Sequence, residues 1–275
     1  GHCQAQLGNH DKAEVELVEL ADKDGLSDLE RARANYRLGH YFASRPHNYY
    51  ENSKGEKSWG RWIADSSYHD TQRDDAERAK DRLAKSFTLL EPKAREAMKQ
   101  LGDDAEALAM VEEAYNAGLD AAAALHTWQY QGGQTRKSID YFDVNEQKQT
   151  YYYYHYDFKD RDEVIKQLDA LTKLSSDLKQ TCETLLRQKR AYTPEVTEVL
   201  KGGPEKATNM GALAMYRKAQ FLVAVSQIDD WYTQNMLYNP DLEDFNPLAG
   251  EYSPIPVFET IYKDYHNTPY ADDAQ

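Results

Sequence analysis

The chain has 275 residues, with 33 Lys and Arg against 47 Asp and Glu, so its formal net charge at pH 7 is −14. This acidic balance argues against binding to nucleic acid or to an anionic membrane surface, because both need clustered Lys and Arg. Hydrophobic residues make up 40% of the chain and charged residues 29%, which favours an elongated, surface-rich soluble fold over a large globule. No apolar run reaches about 18 residues, so the sequence predicts no direct membrane span.

The N-terminal segment predicts two helices joined by a turn. Apolar or small residues recur there mostly at spacings of three and four, which is one face of an α-helix. They are Leu7, Ala13, Leu17, Leu20 and Ala21. Gly8 and Asn9 interrupt this pattern, and the pair is typical of a turn.

A second helix pair is predicted around a long insertion. Residues 28–42 predict its first helix and residues 74–92 its second, with an insertion at 44–74 between them. The insertion is rich in aromatic residues, namely Tyr49, Tyr50, Trp59, Trp62 and Tyr68. Long loops in compact arrays are often functional. Two interpretations stay open: the aromatic residues cover an exposed helix edge, or Trp59 and Trp62 stack on a peptide or a sugar.

The middle of the chain predicts shorter helices and one ambiguous segment. Pro92 suits the start of a short helix that ends near Gly102. The next helix is predicted to stop at Gly118, and a helix with a face of small residues follows it. The stretch QGGQTRKS that follows is interpreted as a linker. Residues 150–158, TYYYYHYDF, fit either a helix or a strand. Their tyrosines serve either internal packing or a partner surface, since Tyr supplies contact area at low entropy cost.

Two long helices are predicted towards the C-terminus, at residues 160–190 and 204–237. Neither sustains heptads, so packing within a solenoid is favoured over a free coiled coil. The chain is therefore predicted to be nearly all-α. Residues 228–275 carry ten acids against one base, Lys263. This acidic end is either a solvated surface or a surface that steers a basic partner.

Both ends of the chain resemble the tetratricopeptide repeat (TPR) family. The residues that carry the resemblance are Gly1, Gly8, Ala13, Leu17 and Leu20, then Leu38, Gly39 and Phe42, then Ala76, Ala79, Leu83, Phe87 and Pro92. The segment PVFETIYKDYHNTPYADDAQ resembles the last helix and linker of TPR proteins of bacterial envelope assembly. The resemblance implies an α-α superhelix, or TPR-like solenoid, cut from a longer array whose next helix follows Gln275. It also implies a bacterial periplasm or cell-envelope setting.

The predicted organisation has three parts: residues 1–92 with the insertion at 44–74, an irregular helical region at 93–205, and a long helix pair at 206–275. Cys3 and Cys182 make neither a disulfide framework nor a zinc set. Asp241, Glu243 and Asp244 lack the glycine and the final glutamate of an EF-hand loop. No motif for a nucleophile, a phosphate loop or a zinc protease is present. The sequence therefore predicts no cofactor, no metal and no catalytic residue.

The favoured function is a non-enzymatic scaffold that binds a protein partner. Its expected contact residues are Tyr49, Tyr50, Trp59, Trp62, Tyr151, Tyr152, Tyr153 and Tyr154. The alternative is a glycan- or peptide-binding module that uses the aromatic insertion. A hydrolase on a helical-repeat platform is the least favoured alternative, because it needs two acids held together in an aromatic-lined cleft.

Overall fold

The computed structural model describes residues 1–45, 49–52, 54, 57–59, 68–70, 72–131, 134–142, 145, 147–156, 161–188, 190–226 and 253–274. The helices of these residues are α1 (His2–Gln6), α2 (His10–Ala21), α3 (Asp28–Ser44), α4 (Gln72–Gln100), α5 (Ala107–Gln131), α6 (Arg161–Arg187), α7 (Pro194–Ser226), α8 (Ile255–Asp264) and α9 (Pro269–Asp272). The strands are β1 (Tyr49–Asn52), β2 (Lys57–Trp59), β3 (Tyr68–Asp70), β4 (Gln134–Phe142) and β5 (Lys148–Tyr156). The fold is mostly helical, as predicted.

The predicted turn between the first two helices is confirmed. Gly8 lies between α1 and α2 with φ at 76°, a left-handed conformation that glycine adopts without strain. Helix α2 then packs its small and apolar face into a core shared with α3 and α4. The buried members of this core are Ala13, Leu17, Ala21, Ala34, Leu38, Tyr41, Phe42 and Ala79.

Helices α3 and α4 form the hairpin predicted around the insertion. Ser27 begins α3 with a capping box, in which its hydroxyl accepts from the Glu30 amide and the Glu30 carboxylate accepts from the Ser27 amide. A methyl group at Gly39 would lie 2.6 Å from Leu83 Cγ and 3.2 Å from the Leu83 backbone nitrogen. Only a residue without a side chain fits there, so Gly39 sets how closely the two helices approach.

Two predicted helix boundaries are wrong, because α4 and α5 each run through them. Pro92 lies inside α4, where an interior proline costs about 3 kcal/mol. Burial of the flanking Leu90 and Met98 offsets this cost, since each buried side chain of this size contributes about 1.5–3 kcal/mol. Gly118 likewise lies inside α5, which runs from Ala107 to Gln131. The small buried residues around it, such as Ala117 and Ala121, keep that helix packed.

The long helix predicted at residues 160–190 is confirmed as α6. Its apolar stripe is buried along its length, at Val164, Leu168, Leu171, Leu174, Leu178 and Cys182. The next long helix, α7, begins at Pro194 instead of the predicted Pro204, which lies inside it. A methyl group at Gly203 would lie 2.5 Å from Cys182 Sγ, so this glycine again marks a close helix contact. The predicted end of that helix near residue 237 lies outside the described residues.

Two small sheets add strands that the sequence analysis did not assign. Strands β1, β2 and β3 form an antiparallel sheet within the insertion, in the order β2-β1-β3. Strands β4 and β5 form an antiparallel hairpin that extends from the pair Gln134↔Tyr156 to the pair Phe142↔Lys148. The linker interpretation of QGGQTRKS is therefore wrong for residues 134–138. Residues 150–156 of the ambiguous tyrosine segment lie in strand β5, consistent with the high β-propensity of Thr and Tyr.

The chain divides into two compact units. The first comprises Gly1–Trp128 and Gln180–Gly203, and the second comprises Gln129–Lys179 and Pro204–Gln275. The predicted boundary at residue 92 falls inside α4, and the three-part organisation stays a prediction. Within the described part of the chain, no helix combines the length and apolar character needed to cross a membrane.

Candidate functional site

A buried ion pair closes the base of the insertion. Arg45 directly follows α3, and Asp75 lies in the first turn of α4. Arg45 Nη2 donates to Asp75 Oδ1 at 2.6 Å, and Arg45 Nε donates to Asp75 Oδ2. The two side chains are only 7% and 1% exposed. This two-pronged, charge-assisted contact fixes both ends of the insertion to each other.

A second acid and a second arginine extend this ion pair to α2. Arg45 Nη1 donates to Glu14 Oε2 at 2.6 Å, and Arg78 Nη1 donates to Glu14 Oε1 at 3.0 Å. The Phe42 ring contacts both guanidinium groups, with Arg45 Cζ 5.6 Å and Arg78 Cζ 5.5 Å from its centroid. The two acids offset the two bases, with Arg45 and Asp75 buried and Arg78 half exposed. We call Glu14, Arg45, Asp75 and Arg78 the stem cluster.

The insertion above the stem cluster holds the aromatic residues that the sequence analysis named as contact residues, and part of it forms a small sheet. Tyr49 of β1 is the Cα partner of Trp59 of β2, although ten positions separate them in the chain. On the other side of β1, Tyr50 is the Cα partner of Asp70. The backbone register therefore places Tyr49 directly opposite Trp59, with Tyr50 at the next position of β1. Trp62 lies outside the described residues.

The four consecutive tyrosines lie together in β5. Tyr151, Tyr152, Tyr153 and Tyr154 are the Cα partners of Ile139, Ser138, Lys137 and Arg136, respectively. Two of the four thus face basic positions of β4 across the ladder. These tyrosines belong to the second unit, whereas the aromatic sheet of the insertion belongs to the first.

The loop end of the β4–β5 hairpin is ordered by Asp140. Its Oδ2 pairs with Lys148 Nζ at 2.7 Å, and its Oδ1 accepts from Thr150 Oγ1 at 2.8 Å. The hydrogen bond from Lys148, and then that from Thr150, lower the pKa of Asp140 below its ordinary value. Phe142 is exposed beside these polar contacts. The hairpin therefore offers one apolar side chain on a polar, ordered end.

A row of polar contacts joins α3 to α5 in the first unit. Tyr36 Oη donates to Asp120 Oδ2 at 2.5 Å, and His40 Nε2 lies 2.9 Å from the same oxygen. Arg33 Nε and Nη2 donate to the two oxygens of Glu113, each at 2.7 Å. Burial, followed by the hydrogen bond to Asp120, raises the pKa of Tyr36 above its ordinary value. Tyr36 is thus held as a neutral donor, which suits a structural link between helices.

The sequence analysis missed the stem cluster and the α3–α5 row. Arg45 and Asp75 are 30 positions apart, and Tyr36 and Asp120 are 84 apart. No helical or strand period connects such positions. One local signal was available: Pro46 follows Arg45, and the residue before a proline is disfavoured in a helix, which marks where α3 ends.

The described residues offer little for metal or thiol chemistry. Among them, no group of three or more His, Cys, Asp or Glu is placed to hold a metal ion. Cys3 is an exposed free thiol and Cys182 a buried one, and burial raises the pKa of Cys182. The acids Asp241, Glu243 and Asp244 lie outside the described residues.

Comparison with known proteins adds no relative to this picture. No family model, no curated protein and no solved structure matches the chain. The TPR resemblance therefore stays a prediction from the motifs, and the function has to be argued from the geometry.

Proposed function

We propose that the chain is a non-enzymatic interaction scaffold, a TPR-like helical array that binds a protein partner through its aromatic strands. The close contact between Gly39 and Leu83 supports the helical array, because small residues between paired helices are the feature on which the resemblance rests. By the same resemblance, the proposal extends to a bacterial envelope or periplasmic assembly.

The observation that carries the proposal is the attachment of the aromatic sheet to the helices. Tyr49 and Trp59 are partners in a sheet whose two chain ends meet at the buried pair of Arg45 and Asp75. Trp and Tyr dominate the binding energy of protein interfaces. A contact surface that is fixed in advance loses less conformational entropy on binding. A sheet held at its base by buried charges meets both conditions.

The β5 strand supplies a second set of contacts of the same kind. Tyr153 and Tyr154 are paired with Lys137 and Arg136, so aromatic and basic residue types alternate across the ladder. Such a strand suits a partner segment that combines apolar and acidic side chains.

Peptide selection with matched variants tests the proposal. Peptides from a random displayed library are selected on the wild-type chain, and their affinities are measured by fluorescence anisotropy. We expect the double variant Tyr49→Ser, Trp59→Ser, or the double variant Tyr152→Ser, Tyr153→Ser, to weaken binding by about tenfold or more. Val15→Ser is the control, since Val15 is an exposed apolar residue on α2.

Far-UV circular dichroism checks that each variant keeps its helices. The proposal is wrong if no peptide is selected, or if both double variants bind the selected peptides as tightly as the control does.

The pairing of Tyr49 with Trp59 also favours one alternative, a glycan-binding role for the insertion. Aromatic residues at opposed positions of two strands are a residue pattern that suits stacking on a sugar ring. A panel of oligosaccharides titrated while Trp fluorescence is followed tests this. A saturable fluorescence change in the wild type that Trp59→Ser abolishes supports glycan binding. The absence of a fluorescence change with every oligosaccharide of the panel excludes it. A helical-repeat hydrolase stays the least favoured alternative.

A further inference from the structure

Helix α7 contains three consecutive residues that weaken an α-helix. Gly202, Gly203 and Pro204 occupy its third turn. Glycine and proline are the two residue types least favourable inside a helix. Proline also has no backbone N–H, so the carbonyl oxygen of Leu200, four positions earlier, receives no helical hydrogen bond from Pro204. The backbone of this turn is therefore intrinsically weak.

Packing accounts for only one of the two glycines. A methyl group at Gly203 would lie 2.5 Å from Cys182 Sγ, so the contact with α6 excludes a side chain there. At Gly202, no atom lies within 4 Å of an added methyl group. Gly202 also has the helical backbone of α7, which any residue other than proline adopts readily. Neither space nor backbone conformation requires glycine at this position, so what Gly202 adds to α7 is conformational freedom.

The helix that faces α7 has no such weak point. Helix α6 contains neither glycine nor proline, and its Cys182 is fully buried. The division between the two compact units crosses both helices, between Lys179 and Gln180 in α6 and between Gly203 and Pro204 in α7. Of the two helices, α7 alone has residues that favour bending where the division falls.

We propose that Gly202, Gly203 and Pro204 form a hinge at which α7 bends while α6 stays straight. Hinges are short segments that absorb changes in φ and ψ. In the bent state the turn that carries Gly203 withdraws from Cys182, and the thiol becomes accessible. Leu200 and Ala207, buried on either side of the hinge, hold α7 in its unbent state. The hinge goes beyond the proposed function, because none of the aromatic strands takes part in it.

Amide hydrogen exchange, resolved by residue with NMR, tests the hinge on the full chain. Bending breaks the helical hydrogen bonds of residues 205–208 without unfolding the rest of the chain. We expect these amides to exchange about tenfold or more faster than the amides of residues 174–182 in α6. Their exchange should depend only weakly on urea concentration, since a local opening exposes little surface.

The Cys182 thiol gives a second readout of the same motion. Cys3 is exposed, so Cys3→Ser leaves Cys182 as the only thiol of the chain. Its rate of reaction with an aromatic disulfide reagent then reports how often the bent state forms. We expect labelling about tenfold or more faster than global unfolding allows, with global unfolding measured separately by circular dichroism in urea.

Variants of α7 connect the motion to its residues. Gly202→Ala removes backbone freedom and is expected to slow Cys182 labelling about two- to fivefold. Pro204→Ala restores a backbone N–H and is expected to slow it about tenfold or more. Asn116→Ala is the matched control, since it places a better helix former at an exposed position of α5, away from the hinge. We expect it to leave the labelling rate unchanged.

Two results would overturn the proposal. If the amides of residues 205–208 exchange as slowly as those of α6, and with the same urea dependence, α7 is one rigid helix. If Gly202→Ala and Pro204→Ala slow Cys182 labelling no more than Asn116→Ala does, these residues provide no hinge. Neither measurement involves the aromatic strands, so a failure here is separate from a failure of the proposed function.

Discussion

The helix pair α3–α4 and the helix pair α6–α7 reach close contact in different ways. In both, a glycine faces a side chain of the opposite helix: Gly39 faces Leu83, and Gly203 faces Cys182. The connections differ. The α6–α7 connection is short, at residues 188–193, whereas residues 45–71 separate α3 from α4.

The contacts beside the two connections also differ in kind. At the short connection, Tyr192 Oη donates to the Leu185 carbonyl oxygen at 2.8 Å, and the close contact beneath it is apolar. At the long connection, the stem cluster, whose Arg45 and Asp75 are buried, joins the two helix ends. A longer loop costs more closure entropy, about 0.6 kcal/mol for each doubling of its length. The comparison teaches that both connections have contacts at the helix ends, and that the longer one, with its larger closure cost, carries the charged and buried ones.

The largest expected effect comes from breaking the stem cluster. Asp75→Ala leaves Arg45 buried without its bidentate partner, and we expect a loss of about 3–5 kcal/mol in the free energy of unfolding. Asp81→Ala in the same helix removes an exposed acid whose lysine contact is at the surface, and we expect a change within about 0.5 kcal/mol. Urea unfolding followed by circular dichroism measures both. Equal losses of unfolding free energy in the two variants would mean that the stem cluster stabilises the fold no more than an exposed surface ion pair does.

A middle-sized effect is expected at the short connection. Gly203→Ala places a methyl group against Cys182 Sγ, and overpacking of this kind costs about 1–3 kcal/mol. Gly202→Ala is the neighbouring control, since no atom lies within 4 Å of its added methyl group. There, alanine should stabilise the helix by about 0.5–1 kcal/mol. Thermal unfolding gives the sign of each change, and a stabilising Gly203→Ala would contradict the close contact.

The smallest expected effect is a pH dependence at the α3–α5 row. The pKa of Tyr36 is raised above its ordinary value of 10.0, by burial first and then by the Asp120 carboxylate. The unfolded chain therefore loses this proton first, so the stability that Tyr36 contributes is present below about pH 10 and falls as pH rises beyond it. Tyr36→Phe removes that dependence.

Melting temperatures measured from about pH 8 to about pH 11 check this. We expect a shallower alkaline decline for Tyr36→Phe than for the wild type, and a wild-type decline for Tyr262→Phe, which changes an exposed tyrosine. If the melting temperatures of wild type and Tyr36→Phe fall equally steeply with pH, the alkaline decline does not come from Tyr36.

Local patterns were enough to predict several elements. The stripe from Val164 to Cys182 has an unbroken helical period, and α6 follows it. Residues 28–42 predicted a helix, and α3 begins at Asp28. Gly39 is one of the residues that carry the TPR resemblance, and in the structure it lies in close contact with Leu83.

Non-local effects account for what the sequence could not predict. Pro92 and Gly118 are helix breakers in isolation, and buried neighbours elsewhere in the chain outweigh them. The strand at β5 depends on pairing with β4, which a single segment does not reveal. The candidate site follows the same rule: Tyr49, Tyr50 and Trp59 could be picked out by residue type, but the pair of Arg45 and Asp75 that supports them could not.

The stem cluster has a consequence for how the insertion can be exchanged. Arg45 and Asp75 bring the two entry points of the inserted strands together at one joint on the helices. A different recognition segment grafted between these two points, with Arg45 and Asp75 kept, therefore retains that joint. The arrangement makes the insertion an exchangeable element on the helical frame.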